Sequence, residues 1–148
     1  MPFSTAYANN ILNWAMGKFT SMSTHSQVWI GLCSNDPEAD GGTFNELSGN
    51  GYARVLLSQY NEAYPTIISP ASDRTITNNA QIGFTRATGG AWDTVNGYGL
   101  FIAPTGGTPF FYTKLKAPVD TPEGAVFLFD PGELKIAFQT TDVEIETE

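Results

Sequence analysis

The sequence has few of the residues that active sites require. Its 148 residues include one cysteine, Cys33, and one histidine, His25. A single cysteine excludes an internal disulfide, and a catalytic thiol or a zinc site would need further partners of these two types. No serine stands in a Gly-x-Ser-x-Gly setting, and neither Gly-x-Gly pair has the third glycine of a dinucleotide-binding loop. We therefore expect no enzyme, no metal and no cofactor, and we interpret Cys33 as a buried thiol.

Charged residues are scarce, and basic ones are the scarcest. Only 15% of the residues are charged, against about 25% in ordinary globular domains. Seven basic residues against fifteen acidic ones leave a net charge of −8, and the basic residues are scattered between Lys18 and Lys135 with no patch. Because phosphate groups are bound by clustered Lys and Arg, we expect no nucleic-acid partner.

Long apolar runs are absent as well. The longest unbroken run, Ala125 to Phe129, is far too short to cross a bilayer, and no basic stretch followed by an apolar one opens the sequence. We therefore expect a soluble protein made in the cytoplasm, with no membrane partner. The length is typical of one domain that buries a single core.

One amphipathic helix is predicted near the N-terminus, over about Ser4–Lys18. Its apolar face carries Tyr7, Ile11, Trp14 and Ala15 at helical spacing. Two alternatives remain open: this face packs on its own domain, or it docks on a partner chain. The opposite face carries asparagine instead of Lys and Arg, which argues against membrane docking.

From Gln27 onward the pattern changes to short β-type runs separated by Gly and Pro turns. This pattern is typical of a β-sandwich or a jelly-roll-like barrel, here with one N-terminal α-helix. We expect a helix over residues 1–19, a β-sandwich domain over 20–141 and an acidic C-terminal tail over 142–148. Ser72–Asn79 is either an extended arm or a short edge strand. The candidate strands are Gln27–Cys33, Tyr52–Gln59, Gln81–Thr85, Gly97–Ala103, Phe110–Lys116, Ala125–Phe129 and Leu134–Gln139.

Two of these runs share a Gly-Leu pair, at Gly31 and at Gly99. The shared pattern indicates that the two strands are neighbours whose backbones approach closely at the glycines. A separate expectation concerns Gly51, in the turn Gly49-Asn50-Gly51, which we predict to adopt a positive φ.

Two acidic segments raise the question of metal or partner binding. Asp36, Glu38 and Asp40 have the spacing of the first half of a calcium loop, but the closing position is Leu47 where a bidentate acid is needed. We therefore expect a surface loop and no calcium site. The acidic tail 142–148 is either a solvated end or a docking strip for a basic neighbour.

Aromatic residues near turns and strand ends supply the alternative function. Trp and Tyr rings in such positions can stack on sugars or fill protein interfaces. A carbohydrate-binding module that recognises surface glycans is therefore an alternative. The aromatic residues concerned are Tyr60, Tyr64, Trp92, Tyr98 and Tyr112.

The stretch Glu46–Arg54, with the sequence Glu-Leu-Ser-Gly-Asn-Gly-Tyr-Ala-Arg, is similar to a signature of small tail-fibre-like virion proteins of tailed bacteriophages. Most of the chain shares the resemblance, which rests on turn and packing residues. The other matching segments are Trp29–Leu32, Asn35–Pro37, Gly41–Thr43, Ala91–Val95, Tyr98–Phe101 and Thr105–Gly107.

The resemblance implies a non-enzymatic bacteriophage virion protein that assembles as a homo-oligomer on capsid or tail subunits. Its place on the particle is left open among tail fibre, head decoration and neck accessory. Host surface glycans remain the alternative partner.

Overall fold

In the part of the chain that the structure describes, one α-helix precedes eight short β-strands. The computed structural model describes residues 3–18, 27–59 and 67–137. The mainly-β class with one helix near the N-terminus is confirmed, and no helix among these residues is long and apolar enough to span a membrane. The elements are α1 (Thr5–Ala15), β1 (Gln27–Cys33), β2 (Val55–Gln59), β3 (Thr75–Thr77), β4 (Ile82–Gly83), β5 (Val95–Phe101), β6 (Phe111–Val119), β7 (Leu128–Phe129) and β8 (Lys135–Ala137).

Helix α1 begins and ends at residues suited to those positions. The Ser4 side chain accepts a hydrogen bond from the Tyr7 amide (3.2 Å), which satisfies one of the free N–H groups of the first turn. Gly17 has a φ of 74°, a conformation that favours glycine, so the helix stops at Ala15 and not at the expected Lys18.

A four-stranded antiparallel sheet in the order β2-β1-β5-β6 forms the larger layer. The predicted pairing of the two Gly-Leu strands is confirmed, because Gly31 lies directly opposite Gly99 in the β1–β5 register. The reason for the glycines is different from the one expected. A Cβ at Gly31 would lie 2.8 Å from Glu46 Oε2, and a Cβ at Gly99 would lie 2.8 Å from the Phe44 ring. The glycines therefore leave room for side chains lying across the sheet.

The second layer consists of two smaller antiparallel pairs, β4-β7 and β3-β8. Its side chains share one core with the inner face of the large sheet, as in the 5.4 Å ring contact between Tyr98 and Phe129. This arrangement is consistent with a β-sandwich, and burying each large apolar side chain stabilises the fold by about 1.5–3 kcal/mol. The core residues include Ile30, Leu32, Leu57, Ile82, Phe84, Val95, Leu100, Phe111, Phe127 and Leu134.

Asn78, only 2% exposed, ties this second layer together. Its amide nitrogen donates to the carbonyl oxygens of Ala80 and Asp130, both at 2.9 Å. Its amide oxygen accepts from the backbone N–H groups of Gly132 and Leu134, both at 3.0 Å. A buried amide with all of these partners fixes the turn between β7 and β8 against the chain that follows β3.

Some predicted strand limits were wrong. The predicted strand Tyr52–Gln59 begins only at Val55. The backbone N–H of Leu32 in β1 donates to the side-chain hydroxyl of Tyr52, and not to a backbone carbonyl of a paired strand. The sixth strand, in contrast, continues past Lys116 to Val119. Of the alternatives for Ser72–Asn79, a short strand is present as β3.

Other predicted limits changed where regular pairing is brief. The runs predicted at Gln81–Thr85 and Ala125–Phe129 shorten to the two-residue strands β4 and β7. The strand predicted at Leu134–Gln139 is seen as β8, and its last two residues lie outside the described part of the chain. The division into residues 1–19, 20–141 and 142–148 stays a prediction.

Gly97 offers a test of the close packing over the large sheet. A Cβ there would lie 2.7 Å from the Thr113 carbonyl oxygen and 2.8 Å from Pro37 Cδ. We expect Gly97→Ala to lower the free energy of unfolding by about 1–3 kcal/mol, as overpacking does in other cores. The matched control is Gly83→Ala in β4, where a Cβ has no neighbour within 4 Å. Equal denaturation midpoints for the two variants would contradict this account of Gly97.

Candidate functional site

The signature stretch folds into a hydrogen-bonded cluster of Glu46, Tyr52 and Arg54, which we call the signature clasp. Arg54 grips the Glu46 carboxylate with two nitrogens, Nε to Oε2 and Nη2 to Oε1, both at 2.8 Å. The Tyr52 hydroxyl donates to the same Oε2 at 2.7 Å. Bidentate arginine–carboxylate pairs are among the strongest and most directional contacts in proteins, so the three side chains fix one another.

The signature clasp is attached to the large sheet at several points. Arg54 donates through Nη1 to the carbonyl oxygen of Ala103 (2.8 Å), and its guanidinium carbon lies 3.5 Å from the centre of the Phe101 ring. The Tyr52 hydroxyl accepts from the Leu32 amide (2.9 Å). Through Tyr52, the signature clasp gives β1 a hydrogen-bond partner beyond the residues that pair with β2. Through Arg54, it contacts the last residue of β5 and the chain that follows.

The protonation state of Tyr52 and the burial of Arg54 suit the signature clasp to holding the fold together. Burial, reinforced by the hydrogen bond to the Glu46 carboxylate, raises the pKa of Tyr52 far above its ordinary value. The Tyr52 hydroxyl therefore stays protonated and continues to donate its hydrogen bond to Glu46. The Arg54 side chain is 3% exposed, so its charge depends on Glu46 for compensation. Both carboxylate oxygens already accept hydrogen bonds within the chain.

The turn within the signature stretch packs on the segment that precedes β5. Gly51 has the expected positive φ, 83°, and the preceding Asn50 has a φ of 52°. The Asn50 carbonyl oxygen accepts from the Thr88 amide and from the Trp92 ring nitrogen, both at 2.9 Å. Its side chain donates to the Ala91 carbonyl oxygen at 2.9 Å. Only the last of these contacts depends on the asparagine side chain, and a glycine at this position would lack it.

Cys33, the last residue of β1, has no exposed surface. Burial raises the pKa of its thiol to about 12, so the reactive thiolate is not formed at neutral pH. The interpretation of Cys33 as a buried thiol is confirmed. His25 lies outside the described residues.

The acidic loop between β1 and the signature clasp directs its three carboxylates to separate partners. Asp36 accepts from the amides of Glu38 and Ala39 in its own turn, at 3.0 and 3.2 Å. Glu38 reaches the backbone amide of Lys114 at 3.2 Å, and Asp40 accepts from Asn35 at 2.8 Å. Within residues 3–18, 27–59 and 67–137, no group of three or more His, Cys, Asp or Glu side chains could hold a metal ion. The absence of a calcium site stays a prediction.

The four residues predicted on the apolar face of α1 have different surroundings. Tyr7 is half-buried, with its ring centre 5.0 Å from that of Phe110, so the first turn packs on the chain's own β-domain. Ile11 is half-buried, Ala15 is exposed, and Trp14 is 50% exposed. Of the two alternatives for this helix, packing on its own domain therefore holds for the first turn. A partner-binding role for the four residues stays a prediction.

Two of the aromatic residues proposed as a sugar-binding surface belong to the core. Trp92 and Tyr98 are only 7% and 6% exposed and are held by ring contacts with Tyr52 and Phe129. Neither ring presents a face to a ligand, so their assignment to an exposed surface was wrong. Tyr112 is half-buried, and Tyr60 and Tyr64 lie outside the described part of the chain.

Sequence reasoning missed a groove of about 1050 Å³ between β6 and the β7–β8 side of the second layer. Lys114, Lys116 and Lys135 all line it, together with the acidic residues Asp120 and Glu133, so three lysines that are separate in the sequence lie along one groove. The alternation of Lys114 and Lys116 within one strand was a signal that both side chains share one face. The approach of Lys135 depends on strand pairing, which sequence spacing does not reveal.

The geometry is that of a β-domain whose named signature residues serve its own folding. Comparison with known families adds what this geometry does not give. The family model described as "Podophage GP4 fiber I protein gp80" matches residues 2–137, and the chain belongs to this family of phage fibre proteins. A comparison with curated proteins found no match.

The Tyr52 hydroxyl gives a test of the signature clasp. Tyr52→Phe leaves the Leu32 amide without its acceptor and removes a donor from Glu46, so we expect a loss of about 1–3 kcal/mol in unfolding free energy. The matched control is Tyr112→Phe, at a half-buried tyrosine whose hydroxyl makes no hydrogen bond with a described residue, and a change within about 0.5 kcal/mol is expected there. Urea denaturation of both variants measures the difference. A Tyr52→Phe variant as stable as the control would refute the assigned role of this hydroxyl.

Proposed function

We propose that this protein is a non-enzymatic structural protein of a bacteriophage virion, assembled on the particle as part of a fibre. The observation that carries the proposal is the family match over residues 2–137. The signature clasp, whose three side chains satisfy one another, supports it, because a fibre protein needs a rigid scaffold more than a reactive site. The protein would be made in the host cytoplasm and would act in the virion.

The proposed partner-binding surface is the apolar face of α1 beyond its first turn. Tyr7 uses this face to contact Phe110, and the same face continues through Ile11 to Trp14 and Ala15. No helix residue is buried, and Leu12, Trp14 and Met16 are 61%, 50% and 76% exposed. Two large apolar side chains exposed on one short helix, with a third directly after its last residue, favour an interface with another chain.

The proposed partners are other virion proteins, as capsid or tail subunits, together with further copies of this chain. A fibre location is favoured over head decoration by the family alone. Glycan recognition has no support from the aromatic residues Trp92 and Tyr98, since both are core residues.

Trp14→Asp tests the role of the helix in assembly. The side chain is half exposed, so we expect the variant to keep the parent's melting temperature and to be lost from purified particles, because a buried charge opposes docking. The measurement is the amount of variant protein per particle, in phage that lack the wild-type copy. The control is Asn13→Asp, an equal charge on the polar face of the same helix, which we expect to incorporate normally.

Normal incorporation of Trp14→Asp would reject the helix as the attachment surface while leaving a virion role intact. Electron microscopy of particles carrying a labelled copy tests that wider role separately. Density for the label at a fibre is the expected result, and its absence from every part of the particle would contradict the proposed function.

A further inference from the structure

The groove between β6 and the β7–β8 side has an exposed apolar lining. Val119, Val126 and Leu128 are 40%, 39% and 38% exposed and all three line it. The core residues Phe127 and Phe129 line it as well. Exposed aliphatic side chains gathered in one concavity, and not scattered, indicate a surface that something covers.

The rim of the groove carries most of the chain's lysines. Three of the four lysines in the sequence, Lys114, Lys116 and Lys135, line it. Within the described residues none of their ammonium groups is in an ion pair. Asp120 and Glu133 also line the groove. On a protein with a net charge of −8, this concentration of lysines favours an acidic occupant.

An acidic segment follows the groove directly in the sequence. Strand β8 ends at Ala137, which lines the groove, and residues 138–148 come next. Within them Asp142-Val143-Glu144-Ile145-Glu146 alternates acidic and apolar residues, so an extended chain would place two aliphatic side chains on one face and three carboxylates on the other. Eleven extended residues span up to about 36–40 Å, more than the roughly 30 Å of a nine-residue strand such as β6.

We propose that residues 142–146 of the same chain lie extended in this groove. Val143 and Ile145 would cover the apolar lining, and the carboxylates of Asp142, Glu144 and Glu146 would face the three lysines. Connection through Ala137 favours the chain's own segment over that of another copy, because a short linker holds it at a high effective concentration.

Side chains, and not a full set of backbone hydrogen bonds, would hold the segment beside β6. Pro118 has no N–H to donate to a neighbouring strand. The Lys114 amide already donates to Glu38 at 3.2 Å. The edge of β6 is therefore a poor template for continuous strand pairing, and the charge and apolar complementarity carry the binding.

Zero-length carbodiimide cross-linking of the unaltered protein tests this placement. The reagent joins a carboxylate to an amine in direct contact, and peptide mass spectrometry identifies the pair. We expect links from Asp142, Glu144 or Glu146 to the groove lysines in the monomeric fraction, and few to Lys18. An equal yield with Lys18 would overturn the proposal. With mixed isotope-labelled and unlabelled chains, links found only between chains would also overturn it.

A pair of variants tests the apolar half of the contact. Val143→Ser/Ile145→Ser keeps every carboxylate but removes the aliphatic side chains, so we expect the yield of groove cross-links to fall by about tenfold. Thr140→Ser/Thr141→Ser is the control and should leave the yield unchanged. Equal yields in the two double variants would contradict an extended segment seated on the groove lining.

Discussion

The carboxylate of Glu46, gripped by Arg54 and Tyr52, is the contact on which the rest of the outer sheet face depends. Its oxygens lie over Gly31, where a Cβ would be only 2.8 Å away. The Tyr52 hydroxyl that it orients takes up the amide of Leu32 in β1, and Arg54 fixes the chain after β5 at Ala103. The loop between β1 and β2 can therefore close over the sheet face where Gly31, Gly97 and Gly99 leave room for it, and the turn that follows packs on the segment before β5.

Because the signature residues satisfy one another, assembly has to use other surfaces. Apart from Ile102, the exposed large apolar side chains of the described residues lie in two places: the second half of α1 with the residue that follows it, and the groove between β6 and the second layer. They differ in chemistry. The helix end has no charged residue before Lys18, which suits an apolar partner, whereas the groove has three lysines, which suit an acidic one. The family match over residues 2–137 makes the chain a member of a family of phage fibre proteins, and the two surfaces are the proposed contact areas of such a protein.

Local chemistry predicted the parts of the fold that depend on neighbouring residues. The limits of β1, the positive φ of Gly51 and the adjacency of the two Gly-Leu strands all followed from short patterns. The burial of Trp92 and Tyr98 did not, because each ring is covered by residues distant in sequence. The groove between β6 and the second layer was not predicted either, because the strands that line it are distant in sequence. The role of the signature was equally hidden, since a Glu, a Tyr and an Arg within nine residues do not reveal that all three meet over one glycine.

A double-mutant cycle between Glu46 and Arg54 tests the central claim most directly. Unfolding free energies of Glu46→Ala, Arg54→Ala and the double variant give the coupling between the two side chains. A pair that closes the outer sheet face should couple by about 1–3 kcal/mol, because either single change leaves a partly buried charge without its partner. Additivity within about 0.5 kcal/mol would contradict the claim, since it would mean that the two side chains contribute independently.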